Sequence, residues 1–323
     1  MNTFKLASTL ALNNVLINRE QANSILDADF NSLMFEANRI RTRHHGNSVA
    51  VCSIINARSG RCSENCRFCA QSAHNSASID SFDMLPADEI VSAFNSANKY
   101  PISHFGIVTS GRNEAGGKEN EKEELVEALS KMGENAVATL CVSIGGIDDD
   151  FLEVLKKLGV RRIHHNLETS RNFFPEICTT HSYDERIENI NRAKKHGFNV
   201  CSGGLFGLGE SWEDRIDLAM QLQHLGIKSV PLNFLNPVPG TPLENAESIP
   251  PRDILRIIAI FRFVLPTAQI KVAGGREVNL RDMQSWVFAA GATSLMVGDY
   301  LTTKGRGAEQ DLQMIKDLGL KIR

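Results

Sequence analysis

Eight short runs of β-branched and other apolar residues recur along the chain, separated by amphipathic segments of helical length. The runs are Val51–Asn56, His104–Thr109, Ala136–Ser143, Arg162–Glu168, Phe198–Phe206, Ser229–Leu235, Gln269–Ala273 and Ser294–Val297. Between them lie Ala87–Ala97, Glu121–Lys131, Asp148–Leu158, Tyr183–His196, Ser211–Leu225, Arg252–Phe263 and Leu280–Ala289. Strands that alternate with helices predict parallel pairing with helical crossovers. Eight of them predict a complete (β/α)8 barrel of the TIM type. A doubly wound open sheet is the alternative, weakened because no Gly-rich dinucleotide turn follows the first run. Residues 49–323 are then one barrel domain. Residues 1–48 form a helical extension, with Ala22–Leu26 and Asn31–Arg41 as its helices.

Composition excludes several function classes. The chain has 323 residues, is 42% apolar and 23% charged, and carries a net charge of −3. That charge gives no reason to expect nucleic acid or an acidic membrane as a partner. No apolar run approaches the roughly 20 residues that span a bilayer. Ser8, Thr9, Asn13 and Asn14 interrupt the mildly apolar start, which argues against a signal peptide. Seven cysteines without such a leader point to a reducing compartment, where thiols serve metals or catalysis. The expected location is the cytoplasm.

The most informative segment is Ser59–Gln71, SGRCSENCRFCAQ, directly after the first strand. Cys62, Cys66 and Cys69 are spaced Cys-x3-Cys-x2-Cys on one loop. Three thiolates there can hold three irons of a 4Fe–4S cluster and leave the fourth iron open for a chelating substrate. Phe68 would shield the cluster. The alternative is structural zinc, which wants four protein ligands; the nearest fourth candidate is His74.

Further along, Asn166 and Glu168 are two apart on the fourth strand, hence on one face, and at its C-terminal end. Arg186 opens a helix, where a carboxylate is favoured over a cation, so a bidentate anionic partner explains it better than the helix does. Gly203, Gly204, Gly207 and Gly209 permit close backbone approach, or simply a tight strand-to-helix turn. Asn233 sits in an apolar strand and would be costly if buried without partners.

The cysteine triplet resembles the signature of the radical S-adenosylmethionine superfamily. From about Ala37 to Leu320 the chain resembles the biotin synthase family. The resemblance is carried by His165–Ser170 (HNLETS), Thr179–Arg186 (TTHSYDER), Val200–Glu210 (VCSGGLFGLGE), Ser229–Asn233 with Gly240–Leu243, and Ala273–Glu277 (AGGRE). It implies a 4Fe–4S cluster that reductively cleaves S-adenosylmethionine, and a radical that abstracts hydrogen from C9 and C6 of dethiobiotin. It implies that Asn166 and Asn233 contact the dethiobiotin ureido ring, that Arg58 lies near its carboxylate, and that Glu168 and Arg186 hold S-adenosylmethionine. It also implies an electron donor such as flavodoxin or ferredoxin, iron–sulfur assembly proteins as partners, and a homodimer. Other barrel members of the superfamily, such as a hydrogenase-cofactor maturase or a pyrrolysine-pathway mutase, would not need Asn166, Asn233 and Cys201 together.

The family carries an auxiliary iron–sulfur cluster, usually 2Fe–2S, that donates the inserted sulfur. Its usual ligands are three cysteines and an arginine. Cys141, Cys201 and Arg276 match three of them, whereas the second-strand position is Gly106. Cys178 is the expected replacement, in a cluster of two or four irons with a diminished role for Arg276. Cys52 has no role in that pattern and reads as a packed thiol.

Overall fold

Every strand pairing is parallel, and the last stave returns to the first. In the computed structural model, residues 2–112, 119–133, 137–146 and 148–323 are described. The strands are β1 (Ser48–Arg58), β2 (His104–Thr109), β3 (Thr139–Ser143), β4 (Arg162–His164), β5 (Asn199–Cys201), β6 (Gly204–Phe206), β7 (Ser229–Phe234), β8 (Gln269–Val272), β9 (Ser294–Met296) and β10 (Lys321–Ile322). The sheet runs β1-β2-β3-β4-β5-β7-β8-β9 and closes where β9 pairs with β1. β5 and β6 are two halves of one stave, both pairing with β7, so eight staves close the barrel.

The split in that stave has a steric cause. A Cβ at Gly203 would fall 1.9 Å from the Pro231 carbonyl oxygen, and one at Gly204 would fall 2.4 Å from that of Glu168. Three backbones are squeezed together there, closer than any side chain allows. Crowding also ends β4 at His164, short of the expected Glu168, which keeps only an isolated bridge to Gly204. Ala136, at the start of the expected third strand, lies outside the described residues.

The helices are α1 (Thr3–Leu12), α2 (Arg19–Asn23), α3 (Phe30–His45), α4 (Ala87–Ala97), α5 (Glu119–Gly133), α6 (Asp149–Lys157), α7 (Phe174–Ile177), α8 (Tyr183–Lys195), α9 (Trp212–His224), α10 (Pro251–Val264), α11 (Arg276–Leu280), α12 (Trp286–Ala289) and α13 (Ala308–Asp317). α4 matches its expected span. Capping boxes start α8 at Ser182 and α9 at Ser211. The expected helix Leu280–Ala289 is broken into α11, a 3₁₀ turn at Arg281–Met283, and α12. Arg281 takes a φ of 50°, and the Asn279 side chain donates to the carbonyls of Leu235 and Gly275. Those bonds compete with the helix. At the other end, α1 was not expected; Asn2 caps it by accepting from the Phe4 N–H.

α10 is buried on nearly all sides because α3 packs across its outer face while the barrel covers the inner one. Its Arg262 is fully buried and satisfied by carbonyls, donating to Gly291 at 2.8 Å and Pro266 at 2.9 Å, with His45 of α3 at 3.2 Å. The C-terminal strand β10 lies against Ser48 and Val49 at the start of β1. The Arg323 N–H donates to Val49 and the Ser103 hydroxyl to the Arg323 carbonyl, so the tail covers the N-terminal end of the barrel. No described helix is long and apolar enough to cross a membrane.

Candidate active site in the barrel lumen

One cavity of about 440 Å³ runs from the C-terminal mouth into the lumen and receives side chains from every stave. Its size suits a small-molecule ligand. The loop after β1 folds over the mouth. The Cys62 N–H donates to Gln71 at 3.0 Å, the Cys69 N–H to Cys66 at 3.1 Å, and the Asn75 amide to the Cys69 carbonyl at 2.8 Å. These bonds fix the turn so that Cys62, Cys66 and Cys69 all face the cavity beside Phe68. Burial pushes the Cys69 thiol up to about 11.

Cys178 ends α7 and packs against this loop. Its sulfur lies 3.7 Å from that of Cys66, 3.4 Å from Nδ1 of His181 and 3.5 Å from the Thr180 hydroxyl. The Cys66 thiol donates to Cys178, which raises Cys66 and holds Cys178 down at about 3 in the metal-free chain. The expected grouping of Cys178 with Cys141 and Cys201 is therefore corrected: the loop that follows β4 at the mouth sets Cys178 against Cys66, and Cys178 does not line the lumen that Cys141 and Cys201 share. His181 also meets Glu64, and Arg186 Nε donates to His181 at 3.0 Å. Sequence reasoning missed Glu64 and His181, although both lie within the segments that carried the resemblance.

Beside the triplet, the end of β4 presents Asn166 and Glu168. Arg186 donates to the Asn166 carbonyl at 2.7 Å and lies 3.9 Å from the Glu168 carboxylate. Asn166 accepts from the Gly203 N–H at 3.0 Å and reaches Glu168 at 3.3 Å. Glu168 is held at a φ of 70°, a conformation that costs a non-glycine residue of order 1–3 kcal/mol and clusters at ligand sites. Across the lumen, Asn233 accepts from the Gly274 N–H at 3.0 Å and donates to the Gly204 carbonyl at 3.2 Å. Arg58 is spoken for. Its guanidinium donates to the Ser110 carbonyl at 2.6 Å and to Glu121 at 3.2 Å, and it is not among the cavity's lining residues.

Deeper, the lumen holds Cys52, Cys141 and Cys201 together with His104, Arg162, His164 and Lys271. Arg162 Nε and one of its terminal nitrogens are buried without a hydrogen-bond partner. Lys271 Nζ lies 4.0 Å from the Cys201 sulfur. Burial alone would raise Cys201, but the Lys271 ammonium and His164 bring it to about 5. Among the described residues the cavity's carboxylates are Glu64 and Glu168, both at the mouth. Buried cations left unpaired are costly, so this floor suits an anionic group rich in sulfur.

Arg276 does not reach that floor. It lies past the Gly274–Gly275 turn, 1% exposed, and pairs with Asp311 of α13 while donating to Gln284 at 2.7 Å. The cation that faces Cys141 and Cys201 is Lys271, five residues earlier on β8. Strand parity could have found it: Lys271 is a lone cation between Ile270 and Val272, which face the helices.

The chain is 49% identical to the biotin synthase of Endomicrobium trichonymphae over 308 residues, covering 95% of this chain and 94% of that protein. It is 47% identical to that of Heliobacterium modesticaldum over 95% of this chain and 94% of the relative. The chain belongs to the biotin synthase family. Residues 57–222 match the Radical SAM superfamily, and residues 231–321 match the Biotin and Thiamin Synthesis associated domain. Among solved structures, a methylornithine synthase superposes with a TM-score of 0.85 at 18% identity, covering 98% of this chain and 97% of that one. An FeFe-hydrogenase maturase from Carboxydothermus hydrogenoformans superposes with a TM-score of 0.81 at 17% identity, covering 99% and 79%. At such identities those two likenesses show the barrel alone.

Proposed function

We propose that this chain forms biotin from dethiobiotin by inserting sulfur between C6 and C9, drawing the sulfur from an auxiliary iron–sulfur cluster in the barrel floor. The observation that carries the reading is a single cavity with cysteines at both ends. Cys62, Cys66 and Cys69 stand at its mouth, Cys141 and Cys201 in its floor, and Asn166 and Asn233 between them.

The triplet suits a 4Fe–4S cluster that, with S-adenosylmethionine on its open iron, supplies the carbon radical that abstracts hydrogen. The protein's own part is placement. Glu168 offers two oxygens to ribose hydroxyls, and Arg186, already turned toward Asn166 and Glu168, offers its guanidinium to the methionine carboxylate. Asn166 and Asn233 each retain amide capacity for the ureido ring. Apolar walls from Ile54, Val108 and Leu205 keep water from a radical and hold the target carbons in line. On the floor, Arg162 and Lys271 would balance the charge of a sulfur-rich cluster. Gly106 withholds one conventional thiol, so the auxiliary cluster is non-standard, with two irons or four. A flavodoxin- or ferredoxin-type donor, iron–sulfur assembly proteins and a second copy of the chain are the partners this reading expects.

The test is anaerobic reconstitution followed by turnover with dethiobiotin, S-adenosylmethionine and a low-potential reductant. Biotin and 5′-deoxyadenosine should both appear, and a Cys62/Cys66/Cys69 triple alanine variant should make neither. Cleavage of S-adenosylmethionine without sulfur insertion would overturn the reading.

A further inference from the structure

We propose that Cys66 and Cys178 close a reversible disulfide when the mouth holds no iron, keeping a cluster ligand in recoverable form. The inference rests on the mouth-cluster reading above for the role of Cys66. It adds a modification site at Cys178, which that reading leaves unassigned.

Two loops meet at the pair, and hydrogen bonds tie them together on both sides of each cysteine. The Arg67 N–H donates to the Ile177 carbonyl at 2.9 Å. On the other side, the Asn65 side chain accepts from the Thr179 N–H at 2.9 Å and donates to the Thr179 hydroxyl at 2.7 Å. The Asn65 N–H donates to the Thr180 hydroxyl at 3.2 Å. The neighbours of Cys66 are thus fastened to the neighbours of Cys178, and the two side chains face each other inside that clamp. The Cys66 thiol already donates to the Cys178 sulfur across 3.7 Å. A disulfide needs about 2.05 Å, a remaining approach that side-chain rotation within the clamp supplies.

The two thiols differ in access, which sets their roles. Cys66 lines the cavity, whereas Cys178 lies behind it and is 4% exposed. An oxidant that enters the mouth reaches Cys66 first, and hydrogen peroxide is small enough to do so. The Cys66 sulfur attacks one peroxide oxygen, the O–O bond breaks, and Cys66 becomes a sulfenic acid as water leaves. The Cys178 sulfur then attacks the Cys66 sulfur, the S–O bond breaks, and a second water carries off the oxygen with the thiol proton. Two thiols and one peroxide give one disulfide and two waters, with two electrons passing from the sulfurs to the peroxide oxygens. A dithiol reductant restores both thiols and is itself oxidised to a disulfide. Without a resolving thiol, further peroxide carries the sulfenic acid to sulfinic acid, which thiols do not reverse.

The test uses the full-length protein, stripped of iron anaerobically with a chelator and then exposed to hydrogen peroxide. Free thiols are alkylated and the tryptic digest is read by mass spectrometry. Trypsin leaves Cys66 in the peptide Cys62–Arg67 and Cys178 in Asn172–Arg186. The expected product is their cross-link, assigned to Cys66 by fragmentation, with a loss of two titratable thiols that dithiothreitol restores. In Cys178→Ser the cross-link should be missing and Cys66 should be found as sulfinic acid. After dithiothreitol, ferrous iron and sulfide, the EPR signal of the reduced mouth cluster should return in the treated parent and be largely lost in the treated variant. Cys178 recovered alkylated beside an oxidised Cys66, or Cys66 joined to Cys62 or Cys69, would overturn the proposal, as would equal return of the signal in both proteins. An untreated parent that gives no such signal would overturn the mouth cluster instead, while the cross-link is still decided by mass.

Discussion

The sulfur of Cys178 lies 3.7 Å from that of Cys66, inside the shell of the mouth triplet rather than in the barrel floor. With iron on Cys66 the proton shared by the pair would reside on Cys178, which would then donate to a cluster ligand. Hydrogen bonds to ligating sulfur stabilise the reduced, more negative cluster and raise its potential. Cys178→Ala should therefore shift the midpoint potential of the mouth cluster downward in an EPR-monitored titration. An unchanged potential would mean that the contact is lost on loading.

Asn233 and Asn166 should separate on substitution. Asn233 bonds only to backbone of neighbouring staves, whereas Asn166 also reaches Glu168 and carries Arg186 on its carbonyl. Asn233→Ala should weaken dethiobiotin binding by about 1–3 kcal/mol and leave affinity for S-adenosylmethionine nearly unaltered. Asn166→Ala should weaken both. Calorimetric titration of each ligand against each variant checks the split; equal losses in Asn233→Ala would point to a distorted barrel instead.

Arg276 is predicted to be structural. Asp311→Ala would strip the buried guanidinium of its fully buried partner and leave it only Glu277 at 3.4 Å, a loss of up to about 3–5 kcal/mol. The double variant Arg276→Met with Asp311→Leu should recover much of that stability while keeping the iron content of the parent. Denaturant unfolding and iron analysis of the three proteins decide the matter, since loss of iron from the double variant would restore Arg276 as a ligand.

The docking of α3 on α10 should weaken in acid. Burial, and then the Arg262 guanidinium, hold His45 down at about 3, against an ordinary value near 6.5 in an unfolded chain. Between those values the unfolded chain binds the extra proton. The contribution of His45 is thus complete above the unfolded value and is lost as pH falls below it, by up to about 1.4 kcal/mol per pH unit. Urea midpoints at pH 5 and pH 7.5 should differ less in His45→Gln than in the parent. An equal difference would show that His45 is not the sensor.

Much of the barrel was legible because strands buried on both faces read as continuous apolar runs, and α4, α8 and α9 carry clear periodicity or caps. What escaped was decided by contacts between distant segments. The squeeze of Gly203 against Pro231 splits a stave that reads as unbroken, and the bonds from Asn279 to Leu235 and Gly275 break a helix whose apolar pattern runs on. The site divides in the same way. Cys62, Cys66 and Cys69 were readable because their chemistry lies within one loop. Which cation faces the floor depends on where β8 ends: Lys271 is on the strand and Arg276 just beyond its turn, a boundary that the run AGGRE does not mark.

The C-terminal strand braces the lower rim, and the described cavity above it opens at the mouth like a vessel. On the proposed reading, an occupant of the floor enters through that mouth, past the places proposed for dethiobiotin and S-adenosylmethionine. Loading is consequently a queue in which the deepest guest arrives first. Refilling the floor after sulfur has been given up would then require the site above it to be vacated, and repair and turnover would exclude each other in time.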